Sequence, residues 1–420
     1  PFCLAICSRL DPEKTTFSCS GSRARLALGA VAAAAIAAGC GHPAAVVRRL
    51  GPAEPGARPR IVVLPVDDVS GAIAPTKELR AAIEGALGRR VELVAGDELE
   101  PFLARHRLRY TGGIDAASAR AARDELGANA VLVTSVTTYR AAGPPSLGIT
   151  ARLVSADDEP EILWMDAVAW AGDQEPGLLG VGRVDRFAPV QARLVRRLAR
   201  SLEAFLDGKS RDVACGGRRY RPRVRFRSAA LDEGEHHTVA VVPFLDYTKR
   251  RGAGEVVALE FVRQLVANGR YRVLEPGVVR DYLLSARVLI PGGISLETAR
   301  LALGGLGADM VLSGMVLDFE DGARGSSAIR FRATLLESSG DVLWSSSSFN
   351  RADDGVFMFG LGKVGNSQEL ACRMVTGVVD RLQRPGATPV AWAKRDEGDA
   401  RTFIRTAKDA RAPTTGSAGR

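Results

Sequence analysis

Two matching motifs, offset by 180 residues, limit what this chain of 420 residues can fold into. Tyr-Thr-Gly-Gly-Ile at 110–114 is followed by Leu-Gly-Ala-Asn at 126–129. Ile-Pro-Gly-Gly-Ile at 290–294 is followed by Leu-Gly-Ala-Asp at 306–309. A repeat that keeps one offset across two motifs predicts two copies of one folding unit, each long enough to bury its own core.

Each copy predicts the same order of helices and strands. It opens on a short apolar run, at 61–66 or 239–244, which suits a strand buried on both faces. A helix, a short strand and a second helix come before the Gly-Gly motif; a helix, a long strand and an antiparallel meander come after it. A last amphipathic helix closes each copy, at 188–206 or 366–383.

This order predicts an α/β (α+β) fold of two similar three-layer domains, each a mixed sheet with an antiparallel meander and flanking helices. We place the first repeat at 60–207 and the second at 238–384, joined by a basic linker at 208–237. The residues at 40–59 are rich in proline, glycine and alanine and predict a flexible tether. The polar residues at 385–420 predict a disordered tail.

We interpret the Gly-Gly motif as a turn between two helices. Adjacent glycines permit positive φ, and Asp115 or Ser295 follows at the position of an N-cap. An aspartate also follows the first strand of each copy, and we align Asp67 with Asp246. Together with Asp68, these aspartates predict loop caps more strongly than a site at the strand ends.

The N-terminal region predicts targeting rather than fold. Arg23 and Arg25 precede an apolar run at 26–38, which is too short for a membrane span and suits a cleaved signal peptide. Small residues lead into Cys40, as in the bacterial lipobox, so we expect Cys40 to carry the lipid. The alternatives are an ordinary signal peptide and a buried alanine-rich helix. Residues 1–39 are therefore assigned to the signal peptide and a mis-assigned start.

The linker carries much of the chain's positive charge. Residues 209–227 contain eight basic residues and one acidic residue, in a chain with a formal net charge of +9. Four arginines alternate with other residues there, at Arg221, Arg223, Arg225 and Arg227. A period of two places them on one face of an extended segment, which predicts an interaction face. An edge strand whose arginines face water is the alternative.

Two cysteines, Cys215 and Cys372, follow Cys40 in the chain. In an oxidising compartment they could pair and tie the linker to the last helix. A free Cys215 and a buried, unpaired Cys372 are the alternative, so the disulfide is left open.

The glycine-rich loops at 180–184 and 360–364 resemble phosphate loops only superficially. A phosphate loop opens a helix directly after the first strand and ends in Lys-Ser/Thr, and neither condition is met. We interpret both loops as tight turns, with Arg183 and Lys363 as candidate contacts for an anion. His236 and His237 fit a solvated linker better than a metal site.

The repeated unit resembles the periplasmic α/β domain shared by the curli-secretion lipoprotein CsgG, the N-terminal domain of TolB and several small envelope lipoproteins. The resemblance is carried by Val-Val-Pro-Phe at 241–244, the two leucines at 283–284, the Gly-Gly turn, and Leu-Gly-Ala-Asp at 306–309. It covers most of both repeats and is clearer in the second. It implies the fold more strongly than a function.

The lipobox and the resemblance together predict a lipoprotein anchored at the periplasmic face of the outer membrane. We expect a binding or scaffolding module in envelope assembly, with the membrane, envelope proteins or an anionic envelope surface as partners. The alternatives are a subunit of a secretion or export complex and an enzyme acting on envelope polymers. No catalytic set, metal site or cofactor motif is legible, and we predict neither a small-molecule substrate nor nucleic acid.

Overall fold

A computed structural model describes most of both predicted repeats, all within one compact unit that begins at residue 45. The described residues are 58–108, 110–174, 183–209, 215, 220–232, 237–302, 305–322, 326–356 and 363–383. Several predicted features lie outside them, namely Cys40, the signal peptide, nearly all of the tether, the glycines of both glycine-rich loops, His236 and the C-terminal tail.

Eight helices and thirteen strands make up the described fold. The helices are α1 Thr76–Leu87, α2 Gly96–Arg105, α3 Ala116–Leu126, α4 Phe187–Leu206, α5 Ala253–Asn268, α6 Pro276–Ser285, α7 Leu296–Ala302 and α8 Ser367–Leu382. The strands are β1 Arg60–Val63, β2 Asp67–Asp68, β3 Glu92–Leu93, β4 Ala130–Arg140, β5 Ser146–Ser155, β6 Ile162–Ala171, β7 Arg223–Arg227, β8 His237–Val241, β9 Leu245–Asp246, β10 Tyr271–Val273, β11 Met310–Glu320, β12 Ala328–Glu337 and β13 Val342–Arg351.

The strands form two mixed sheets with the same order. Sheet 1 runs β3-β1-β4-β5-β6 with β2 beside β4, and sheet 2 runs β10-β8-β11-β12-β13 with β9 beside β11. In each sheet the first three strands are parallel and the last two pairs are antiparallel. Sheet 2 gains one further edge strand, β7, from the linker. The predicted fold class is confirmed.

Helices of the first repeat cover all of one face of sheet 1 and part of the other. Leu79, Ile83 and Leu87, spaced by four on α1, are buried with residues of α4 against one face. On the other face, Leu99 and Phe102 of α2 pack with α3 against β1 and β4. The remainder of this second face is covered by α5 and α8 of the second repeat.

Helix α5 is buried on nearly all sides because it packs between the two sheets. Its buried residues lie on all sides of the helix, as expected for a core helix, and they include the polar Glu260, Arg263 and Gln264. Phe261 stacks on Phe244 and meets Phe331 of β12 edge to face. Ile162 and Met165 of β6 belong to the same cluster of buried residues. The two repeats therefore share one hydrophobic core.

The sheet register corrects the alignment of the aspartates. Asp68 pairs with Val136, and Asp246 pairs with Val316, which is 180 residues further on. Asp246 is therefore the counterpart of Asp68, and Asp67 has Leu245 in its place. The alignment was wrong because the first strands of the two repeats are offset by 178 residues rather than 180. Ile61 pairs with Ala130 in sheet 1, and Val239 pairs with Met310 in sheet 2.

The alternation predicted that the linker arginines share one face, but the arginines of β7 do not all do so. Arg223 lies opposite Ser347, but a bulge opposite Ser345 and Ser346 shifts the alternation. Arg227 consequently lies on the same face of the sheet as the buried Trp344. It is buried there and forms a bidentate ion pair with Asp232 at 2.7 and 2.9 Å. Arg227, one of the four arginines of the predicted interaction face, is therefore used in a salt bridge within the protein.

Among the described helices, none combines the length and the apolar composition that crossing a bilayer requires.

Candidate functional site

The Gly-Gly turn of the first repeat lies against the start of α6 in the second. A Cβ atom on Gly113 would lie 2.6 Å from the amide nitrogen of Gly277, and a Cβ on Gly277 would lie 2.2 Å from the nitrogen of Ile114. Such distances leave no room for a side chain on either residue. The first copy of the motif is therefore a contact between repeats as well as a turn.

A fully buried ion pair joins the repeats beside this contact. Arg152 of β5 and Glu275, the N-cap of α6, both have completely buried side chains. Arg152 donates from Nε to Oε2 and from Nη2 to Oε1 of Glu275, both at 2.8 Å, and from Nη2 to the carbonyl of Gly112 at 2.6 Å. Burial lowers the pKa of the Arg152 guanidinium, but pairing with Glu275 outweighs burial, and its pKa is raised overall.

Four further polar side chains complete this group. Tyr110 donates a hydrogen bond of 3.0 Å to Glu255 of α5, and the guanidinium carbon of Arg280 lies 3.9 Å from the centre of the Tyr110 ring. Burial, reinforced by the charge of Glu255, raises the pKa of the Tyr110 hydroxyl well above its usual value. We name Asp67, Tyr110, Arg152, Glu255, Glu275 and Arg280 the junction cluster.

Asp67 contributes a carboxyl group with a raised pKa to the junction cluster. Burial, together with repulsion from Glu255, raises its pKa from 3.8 to about 6. A Cβ on Gly112 would lie 2.5 Å from Oδ2 of Asp67. This oxygen is buried and has no hydrogen-bond partner among the described residues.

Replacing Asp67 with asparagine should stabilise the protein above about pH 6. Between about pH 4 and pH 6 the folded state binds more protons at Asp67 than the unfolded state, so stability falls as pH rises through this window. We expect a gain of about 2 kcal/mol in unfolding free energy near neutral pH and a flatter profile between pH 4 and 6. Urea unfolding across this range measures both.

The exposed Asp157 supplies the control for this prediction. Asp157→Asn should change stability by less than about 0.5 kcal/mol at any pH. An Asp67→Asn protein that kept the full pH dependence of the original would contradict the assignment.

The chemistry of the junction cluster favours a structural role. Active sites often contain carboxylates with raised pKa values, but here the opposing charges of Arg152 and Glu275 satisfy each other. Tyr110 is engaged by Glu255 and Arg280, and no serine, cysteine or histidine belongs to the cluster. The junction cluster therefore holds the two repeats together. The sequence offered one signal that was missed, an arginine inside the apolar strand Leu-Gly-Ile-Thr-Ala-Arg-Leu-Val at 147–154.

Asp68 and Asp246 act as the predicted loop caps. Asp68 accepts hydrogen bonds from the backbone of Ser70 at 3.0 Å and of Ala74 at 2.8 Å. Asp246 accepts from the backbone of Thr248 at 2.9 Å and of Ala253 at 3.0 Å.

The candidate anion contacts lie apart from the junction cluster. Arg183 is exposed and forms an ion pair of 2.7 Å with Asp185. Lys363 is exposed. The glycines that precede both residues lie outside the described residues, so a role in anion binding stays a prediction.

The linker arginines are joined by two arginines that the sequence did not single out. Arg223 and Arg225 are exposed, and Nε of Arg225 donates to Oγ of Ser347 at 3.4 Å. Arg332 lies opposite Ser347 on the other side of β13, and Arg330 lies opposite Phe349. Arg221, just before β7, is also exposed. Arg330 and Arg332 were missed because only the sheet register places them beside the linker.

The structure joins Cys215 and Cys372 by a disulfide. Their Cα atoms are 5.9 Å apart, which is a normal separation for such a bond. Thr376 lies one helical turn after Cys372, and its hydroxyl lies 3.4 Å from the sulfur of Cys215. The linker also passes close to α8, since a Cβ on Gly377 would lie 1.8 Å from the carbonyl oxygen of Tyr220.

The surroundings of these cysteines suit a cross-link better than a metal site. The ligand atoms of Cys215, Glu260 and Cys372 lie within 4.8 Å of one another, as a metal would need. However, Nη2 of Arg263 lies 2.5 Å from both Cys372 and Glu260, so a positive charge already occupies the position. Gln264 also donates to Glu260, at 3.0 Å.

Peptide mapping should find Cys215 and Cys372 in one cross-linked peptide pair. Alkylation without a reductant should leave both thiols unlabelled, and alkylation after reduction in denaturant should label both. The single variant Cys215→Ala supplies the control, because it should expose Cys372 to the reagent after unfolding alone. Labelling of both cysteines in the unreduced, unfolded protein would rule the bond out.

Comparison with family models finds no match, and no curated protein matches either. Similar solved structures include the PelC dodecamer from Paraburkholderia phytofirmans, with 20% identity over 39% of this chain and 98% of that chain and a TM-score of 0.27. Lipoprotein GNA1162 from Neisseria meningitidis has 19% identity over 34% of this chain and 98% of its own, with a TM-score of 0.24. The C-terminal domain of LpoB from Escherichia coli has 19% identity over 29% and 88%, with a TM-score of 0.22.

Proposed function

We propose that this chain is a membrane-anchored periplasmic lipoprotein that binds other proteins as a scaffolding module in envelope assembly. Tandem duplication of one α/β unit provides the scaffold, with repeats at 60–207 and 238–384. Cys40 provides the lipid anchor after removal of the signal peptide, at the periplasmic face of the outer membrane.

The observation that carries the binding role is a set of exposed leucines in the second repeat. Four leucines in and around α6 and α7 have large exposed fractions: Leu284 at 52%, Leu289 at 86%, Leu296 at 41% and Leu301 at 78%. Several large apolar side chains exposed within one short segment are typical of a surface that binds a protein. We name these four residues the leucine corner.

The first repeat supports this interpretation by contrast. The counterparts of Leu284, Leu296 and Leu301 at the offset of 180 are Ala104, Ala116 and Ala121. The leucines are therefore a property of the second repeat and are not required by the shared fold.

Crosslinking in intact envelopes tests the binding role. We expect the original protein to form discrete cross-linked products that the double variant Leu289→Glu/Leu301→Glu loses. Ile73→Glu is the matched control, since Ile73 is 94% exposed but lies in the first repeat. Because these side chains are exposed, all variants should fold with stabilities within about 0.5 kcal/mol of the original per substitution. Products retained by the leucine variant would contradict a role for the leucine corner.

The anchor has a separate test. Radiolabelled palmitate should label the original protein but not Cys40→Ala, and the variant should leave the membrane fraction. An unlabelled original protein, or a Cys40→Ala protein that fractionated like the original, would remove the lipoprotein assignment without affecting the leucine corner.

A further inference from the structure

Sheet 2 exposes part of one face that carries four arginines. The face opposite α5 and α8 is covered by α6 and α7 only near β8 and the adjoining half of β11. Beyond these helices, the side chains of Arg223 and Arg225 on β7 and of Arg330 and Arg332 on β12 are exposed. We name these four residues the arginine face.

The pairing of the strands places Arg332 level with Arg223, whereas Arg330 and Arg225 lie towards opposite ends of their two strands. Arg332, Ser347 and Arg223 lie side by side across β12, β13 and β7. Residues two apart along a strand are separated by about 7 Å, and strands two apart by about 10 Å. The sheet therefore presents four guanidinium groups in a staggered array, with the hydroxyl group of Ser347 between Arg332 and Arg223.

Neighbouring groups orient these side chains. The guanidinium carbon of Arg330 lies 4.5 Å from the ring centre of Phe349, which is itself 47% exposed. Arg225 donates to the hydroxyl of Ser347. Asp318 lies opposite Arg330 on β11, and Arg225 and Arg332 also interact with neighbouring groups.

The same region of sheet 1 has a different chemical character. In the strand pairing of sheet 1, Gly148 and Thr150 occupy the positions that Arg330 and Arg332 occupy in sheet 2. Those residues are buried, because α5 and α8 of the second repeat pack on that part of sheet 1. Small residues allow a helix to approach closely, whereas arginines at the same places hold one away.

A second copy of this chain is therefore a poor occupant of the arginine face. If copies stacked as the repeats do, the outer sides of α1 and α4 would meet it. On α4 that side exposes Arg196, Arg197 and Arg200, so these arginines would face the arginine face. Like charges across an interface oppose association.

We infer that the arginine face docks onto a membrane surface that carries anionic phospholipid headgroups. Guanidinium groups bind phosphate oxygens bidentately, and four of them on one face of a sheet can contact several headgroups. A lipid on Cys40 would keep such a surface within reach, since the twenty residues from 40 to 59 extend to at most about 70 Å. The inference goes beyond the proposed anchor, because the face holds the folded body against the membrane.

Vesicle sedimentation with the full chain carrying Cys40→Ala tests the inference without a lipid on the protein. The probe is a vesicle of phosphatidylglycerol mixed with phosphatidylcholine, with pure phosphatidylcholine as the neutral comparison. We expect binding to the anionic vesicles only, weakened by added salt. Arg330→Gln/Arg332→Gln should weaken it roughly 20-fold, and Arg223→Gln/Arg225→Gln should do so to a similar extent.

Arg196→Gln/Arg197→Gln on α4 is the matched control, because it removes the same charge from another surface. It should bind within about twofold of the parent. Equal losses in the control and in the arginine-face variants would show diffuse attraction by net charge and overturn the proposal. Unchanged binding of both arginine-face variants would also overturn it.

Two further results would assign the face to another partner. Equal binding to neutral vesicles would exclude headgroup recognition. Binding of poly-glutamate without binding of anionic vesicles would indicate an acidic polypeptide instead. Thermal unfolding of each variant confirms that the proteins compared are folded, and the two arginine-face variants on different strands guard against a local defect in either one. Because Cys40 is absent throughout, these outcomes do not depend on whether the anchor exists.

Discussion

Replacing Glu275 with alanine should lower the free energy of unfolding by about 3 to 5 kcal/mol. The substitution leaves Arg152 charged and fully buried without its carboxylate, and an uncompensated buried charge is among the most destabilising changes a core can receive. It also removes the side-chain acceptor that caps α6 through Gly277. Urea or thermal unfolding, followed by circular dichroism, measures the loss.

Two control variants separate the buried charge from other effects of the substitution. Glu297→Ala, on the exposed surface of α7, should change stability by less than about 0.5 kcal/mol. The double variant Arg152→Met/Glu275→Leu should recover at least half of the loss, because two apolar side chains leave no unpaired charge at these two positions. If the double variant were less stable than Glu275→Ala, the loss would not come from the unpaired guanidinium.

Replacing Gly277 with alanine should destabilise the protein by about 3 kcal/mol, even though alanine favours helix. Gly277 lies in the first turn of α6, where alanine would normally contribute a gain of about 0.5 to 1 kcal/mol. The new Cβ would lie 2.2 Å from the nitrogen and 2.5 Å from the carbonyl oxygen of Ile114. Both are backbone atoms, so the repeats themselves must move apart.

Gly85→Ala in α1 is the matched comparison. A Cβ there has no atom within 4 Å, so the substitution should stabilise the protein by the ordinary helix preference. Opposite signs for the two substitutions, measured by thermal unfolding under identical conditions, would show that the contact between the repeats decides the effect. A Gly277→Ala protein as stable as the original would contradict the close contact.

The fold could be predicted from the sequence because its signals are local. The apolar opening strands, the Gly-Gly motif and the helix that ends at Gly127 each follow from the preferences of neighbouring residues. Gly127 indeed has a φ of 62°, the left-handed conformation that ends a helix. The common offset then extended these preferences to the second repeat.

The junction cluster could not be predicted, because its members meet only through packing. Arg152 and Glu275 are 123 residues apart, and neither belongs to a recognisable motif. Half of the arginine face was missed for a related reason, since Arg330 and Arg332 become neighbours of β7 only through the register of β13. A single bulge likewise turned Arg227 away from Arg223, and no residue type in β7 indicates where a bulge lies.

Helix α5 also has a consequence for the order in which the protein can fold. Sheet 1 is complete in sequence by residue 171, but part of one face is covered only by α5 and α8, which follow much later in the chain. While the chain is being synthesised from its N-terminus, the first repeat therefore leaves Ile162 and Met165 uncovered until residues 253–268 have been made. Apolar surface exposed during this interval favours aggregation. The chain therefore most needs a chaperone during this interval, because the hydrophobic core that the two repeats share is still incomplete.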